Sequence, residues 1–182
     1  MKVAALIFVL LCSALILPCN QSQPSLSGQI MKQKFLFERS YTNFAWGYQH
    51  AGIYLDNQGN VYSYAYQMGE KPWSPQQADS FTEPELEERY SHGRKLVRTI
   101  DSKELLEKYR LIGQASKGQY SKRLQRGADQ GAYVSSCYVY DEATGRYKEI
   151  ELRVKGDWNY ENLSPAAREL AEWLESLKAP MK

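Results

Sequence analysis

The alternation at residues 149–155 constrains this chain more than any other stretch. Ile150, Leu152 and Val154 take every second position, and Glu149, Glu151, Arg153 and Lys155 take the positions between. Successive side chains of a strand point to opposite faces. The pattern therefore predicts a half-buried antiparallel strand with its charged face in water. Residues 133–140 form a β-prone run before it, and Asp141-Glu142-Ala143-Thr144-Gly145-Arg146 supplies the turn. Residues 52–55 and 61–66 flank a similar turn at Asp56-Asn57-Gln58-Gly59-Asn60. On its return strand Tyr62, Tyr64 and Tyr66 share one face.

Helices follow each hairpin. Asp101 is a good N-cap with Glu104 three positions on, Ile100 can staple against Leu105, and Leu105, Tyr109 and Ile112 recur at helical spacing up to Gly113. The terminal helix opens on Ser164 and Pro165 and carries Leu163, Ala167, Leu170, Leu174 and Leu177 as one stripe, with Trp173 beside it and Pro180 beyond its end. Thr82 and Glu85 have capping-box spacing ahead of the acidic run 83–88, which reads as a short exposed helix. Residues 113–132 have no apolar periodicity and read as a long loop. The expected fold is α+β: an antiparallel sheet built from two hairpins and covered on one face by two helices.

Residues 1–19 stand apart from that fold. Lys2 precedes an unbroken apolar run from Val3 to Leu17, too short for a span of ~20 apolar residues and fitting the hydrophobic region of a signal peptide. Cys19, after Pro18, is a candidate for lipidation, which would attach the protein to a membrane; cleavage near residue 19 is the alternative. The division is then a signal peptide at 1–19, a polar tether at 20–34, one α+β domain at 35–178 and a tail at 179–182. This is export, to secretion or to lipid anchorage at the cell envelope. Of 3 cysteines in 182 residues, only Cys137 lies inside the domain, so its stability has to come from the core rather than from a disulfide.

Composition narrows the chemistry. With 23 Lys+Arg against 21 Asp+Glu, the chain lacks the basic excess of a nucleic-acid binder, and none is expected as a partner. Its 2 histidines, His50 and His92, have no metal-ligand spacing, and Asp56–Asn60 lacks the glutamate that closes a calcium loop. There is no phosphate-binding glycine loop and no serine nucleophile elbow, so no metal or cofactor is expected. Cys137 sits mid-strand and reads as a small core hydrophobe, not a nucleophile. The chain thus reads as a non-catalytic domain. Two features are candidates for contact with a protein or glycan partner at the envelope: the stripe Tyr62, Tyr64 and Tyr66, and the basic loop residues Lys117, Lys122, Arg123 and Arg126.

The segments Phe35-Leu36-Phe37-Glu38-Arg39-Ser40, the Asp56–Asn60 hairpin, and Asn162-Leu163-Ser164-Pro165-Ala166-Ala167 before Trp173-Leu174 carry a resemblance. With them the chain resembles small exported bacterial proteins and lipoproteins of uncharacterised function. Its element order is also similar to that of emfourin-like protease inhibitors, over roughly residues 35–178. That family's glycine-rich segment after Phe-Glu-Arg-Ser is replaced here by Tyr41-Thr42-Asn43-Phe44-Ala45-Trp46. The second resemblance implies protease inhibition as the alternative to an envelope-binding role; no inhibitory residue carries over.

Overall fold

Two hairpins flank a further strand, which pairs with the first strand of each. In the computed structural model, which describes residues 31–78 and 80–177, β1 (Phe35–Asn43), β2 (Gln49–Asp56) and β3 (Asn60–Ala65) make an antiparallel meander. The second hairpin, β7 (Ala132–Asp141) and β8 (Arg146–Gly156), pairs with β1 through β7. Short strands extend the set: β4 (Phe81–Thr82) on β8, β5 (Lys95–Thr99) on β3, and β6 (Leu124–Gln125) on β9 (Trp158–Glu161). The result is one nine-stranded antiparallel sheet, eight strands in the order β5-β3-β2-β1-β7-β8-β9-β6 with β4 on β8 beside that path. Residues 1–30 and 178–182, and with them the export segment, Cys19 and the tail, lie outside the described residues.

The α+β class holds, with a sheet wider than two hairpins and a different distribution of helices. There are three, α1 (Glu83–Ser91), α2 (Ser102–Ala115) and α3 (Pro165–Ser176), and they divide between the two faces. α2 and α3 pack on one face through Leu105, Ile112, Ala167, Leu170 and Leu174, against Leu36, Phe37, Ile53, Leu55, Cys137, Ile150 and Leu152. α1 packs on the other, where Leu86 and Tyr90 meet Phe35, Tyr54, Tyr64, Tyr138 and Tyr147. The acidic run is therefore not a freely exposed helix. Its capping box forms as expected, Thr82 N–H donating to Glu85 at 2.7 Å, but Leu86, Arg89 and Tyr90 turn inward.

Other local expectations hold in part. Asp101 caps α2 by accepting from Lys103 N–H at 2.9 Å. That helix continues past Gly113 to Ala115, whose carbonyl accepts from the buried Asn162 side chain at 2.9 Å. The long loop accordingly starts later and carries β6. Residues just before Phe35 belong to the fold: Gln33 is buried and donates to the Tyr138 carbonyl at 2.8 Å, which places the end of the expected tether against the sheet. The β8 alternation breaks once. Ser135 faces Arg153 while Ser136 faces Glu151, so Leu152 is an extra residue on β8. Beyond this bulge the faces exchange. Arg153 and Lys155 reach Glu175 of α3 at 3.2 and 3.0 Å, and Val154 moves to the face that carries Glu151.

Leu170 is fully buried at the centre of the α3 stripe, whereas Leu96 on the edge strand β5 is exposed. In urea unfolding, Leu170→Ala is expected to cost about 2–5 kcal/mol and Leu96→Ala less than about 0.5 kcal/mol.

Candidate functional site

The face covered by α1 holds the polar chemistry of the molecule. On β1 the alternation places Glu38, Ser40 and Thr42 together on that face. Glu38 is fully buried and accepts from Arg89 of α1 at 2.7 Å, from the Tyr138 hydroxyl at 2.8 Å and from the Tyr64 hydroxyl. Tyr90 lies 2.7 Å from the Tyr138 hydroxyl; because Tyr138 gives its proton to Glu38, Tyr90 donates to Tyr138. Arg89 also reaches Glu149 at 3.3 Å, and its guanidinium lies 4.7 Å over the Trp73 ring.

The same donor logic fixes His50. Tyr64 spends its proton on Glu38, so its oxygen, 3.0 Å from His50 Nε2, accepts from that nitrogen; Nδ1 then accepts from the Tyr48 hydroxyl at 2.9 Å. This is a neutral imidazole. Burial, aided by the nearby Arg89 and His92 charges, pushes the His50 pKa down to about 3. Burial also raises Glu149 above the usual carboxylate range, outweighing the pull of Arg89. Cys137 is fully buried with its thiol pushed up by burial, as a core residue requires.

α1 covers only part of this face. Beyond Arg89 the sheet lies open as a trough of about 800 Å3, within the ~300–1,000 Å3 range of small-ligand pockets. Its floor carries Ser40 and Thr42 of β1, Val134 of β7, and Glu149 and Glu151 of β8. Arg89 and Phe81 wall one side; Tyr160 of β9 and Tyr120, Ser121 and Arg123 of the long loop wall the other. The trough continues through Thr42, Arg123 and Tyr160 into a second hollow of about 540 Å3, whose lining includes Phe44 and Trp158. Arg123 is held by Tyr160, lying 4.3 Å over its ring and donating to its hydroxyl at 3.0 Å, and that hydroxyl donates to Glu151 at 2.7 Å. Among the described residues Arg123 has no carboxylate partner, and Lys148 on the rim has none either.

The tyrosine stripe is not the exposed platform the sequence suggested. Tyr64 is 2% and Tyr66 9% exposed, and Tyr62 is half-buried, because α1 and His92 cover that face. Of the four basic loop residues, Arg123 alone lines the trough. Lys122 borders a smaller hollow with Leu124 and Arg153, while Lys117 and Arg126 are exposed away from both. Sequence reading missed Glu38, Arg89, Glu149, Ser40, Thr42 and Trp158. A signal existed for the β1 set, since three polar residues recur at period two inside a strand that starts Phe-Leu-Phe. Nothing in one sequence paired Glu38 with Arg89. Among the described residues no group of histidine, cysteine and carboxylate side chains could hold a metal, and no helix is long and apolar enough to cross a membrane.

Compared with known proteins, the chain matches no family model, no curated protein and no solved structure. The case for function rests on the trough.

The state of His50 gives a pH test. Between about 3 and its ordinary 6.5 the unfolded chain binds a proton that the folded protein refuses, so this group makes stability fall as pH drops through that window. Glu149 acts in the opposite sense above about 4.5, where the unfolded chain gives up a proton that the folded state retains. Urea midpoints from pH 7 to 4 should therefore drop more steeply for the native protein than for His50→Gln, and parallel profiles would refute the buried neutral imidazole.

Proposed function

We propose that this chain is a non-catalytic domain, exported or anchored at the cell envelope, which binds a protein or glycan partner there. The observation that carries the reading is the trough: an open, preformed concavity on the sheet, with an arginine at its wall that makes no direct ion pair among the described residues and meets Glu151 only through the Tyr160 hydroxyl. Strands β1, β7 and β8 fix the floor by their ladders, so binding orders little of the protein. Arg123 is likewise held before any ligand arrives, by its stacking and hydrogen bond on Tyr160. Export is supported by the leader pattern at 1–19, with Cys19 as the point of lipid attachment if it is retained.

Binding of the purified protein to a cell-envelope fraction tests the reading. Saturable binding is expected, and Arg123→Ala combined with Lys148→Ala should weaken it by about tenfold or more, with an unchanged circular dichroism spectrum. Binding that the double variant leaves untouched would contradict the trough as the site. Stoichiometric inhibition of a metalloprotease without envelope binding would instead favour the inhibitor reading.

A further inference from the structure

We propose that the trough takes an extended peptide segment of a partner protein, which adds as a strand to the outer edge of β8 between β4 and β9; this rests on the binding role proposed above and narrows the partner to a protein. β4 meets β8 at Arg146 and Tyr147, and β9 meets it from Arg153 onward, with Asn162 N–H donating to the Leu152 carbonyl at 2.9 Å. Between them residues 148–151, about 13 Å of strand, have no strand on their outer side among the described residues. The Glu151 N–H faces the Tyr120 hydroxyl of the long loop and so looks outward. Main-chain groups of a strand turn to the same edge at every second residue, so Glu149 looks outward as well. Its N–H and C=O find no partner there among the described residues.

The trough wraps this edge. By alternation Lys148 belongs to one face of β8 and Glu149 and Glu151 to the other, yet all three line the same hollow. Phe81 of β4 stands at one end of the bare stretch, and Tyr120 and Tyr160 stand at the other. The edge is thus recessed between two walls. A single extended segment fits such a slot, whereas a second copy of this chain would have to bring a whole sheet edge past both walls.

Charge points the same way. Arg89, Arg123 and Lys148 stand against Glu38, Glu149 and Glu151, so the network balances and leaves no field that calls for an ion. A peptide main chain is neutral and offers one donor and one acceptor at each residue, which is what an open strand edge requires. β4 and β9 already show the mode, since each is a short antiparallel strand laid on this same edge. A peptide between them would complete the row, held by main-chain hydrogen bonds and read through its alternate side chains.

Phage display of short random peptides on the purified protein, followed by amide NMR of the isotope-labelled protein with the selected peptides, tests the proposal. At least one selected peptide should bind saturably, with the Glu149 and Glu151 amide signals among those that move. N-methylating alternate amides of that peptide in one frame should weaken binding about fivefold or more, and in the other frame much less. Glu149→Pro, which removes the outward N–H, should weaken binding more than Glu149→Gln, which removes only the carboxylate; if the proline variant does not fold, the N-methyl frames still decide. Selection of no peptide, equal loss in both frames, or signal movement confined to another part of the chain would overturn the proposal. Envelope binding measured on the same preparation separates the two ideas. If it persists while no peptide binds the edge, the mode of contact is wrong and the binding role stands; if it fails as well, both fall.

Discussion

The contact on which this architecture turns is the ion pair between Glu38 and Arg89. Glu38 projects from the middle of β1 into a face of aromatic rings, where an unpaired carboxylate would be strongly disfavoured. It is tolerated because three donors converge on it, Arg89 among them, and because Arg89 is itself held between Glu38, Glu149 and the Trp73 ring. Such a pair adds little to stability compared with a well-packed apolar replacement, yet losing one partner typically costs ~3–5 kcal/mol. Its consequence here is positional. The only basic residue on the inner side of α1 meets the only fully buried carboxylate of the central strand, among the described residues, and this sets where the helix lies.

The two faces of the sheet are thereby put to different uses. α2 and α3 cover one face with a continuous apolar core, tied at its margin by the Trp173 indole donating to Glu104 at 2.6 Å and by the Arg153 and Lys155 pairs to Glu175. α1 spans about two and a half turns and covers the other face only over β1–β3, the Tyr138 end of β7 and the start of β8. The uncovered remainder, bounded by Arg89 on one side and Tyr160 with Arg123 on the other, is the trough. A longer helix, or one set further toward β9, would fill it.

How much of this was legible in the sequence depended on the range of the interaction. Turns and caps are local. The Asp56 carboxylate accepting from the Gln58 and Asn60 amides, the Thr82–Glu85 box and the Asp101 cap all follow from residues a few positions apart. Which face each helix covers is not local. Tyr62, Tyr64 and Tyr66 share one face of β3 and its continuation, but whether that face meets water depends on a helix that begins about twenty residues further on. The Leu152 bulge is hidden in the same way, because Arg153 and Lys155 continue the alternation in type while the backbone reverses it in space. The trough needed β1, β8 and the long loop to meet, and only Arg123 among its wall residues had been singled out in the sequence.

The Glu38–Arg89 pair positions α1 and so shapes the trough. Hydrogen exchange of the Glu38→Gln variant, followed peptide by peptide, tests it most directly. Protection should fall selectively in residues 83–91, with 102–115 and 165–176 keeping theirs, since the removed charge faces α1 and the other two helices lie on the opposite face. Undiminished protection in α1, or an equal loss in all three helices, would contradict the claim.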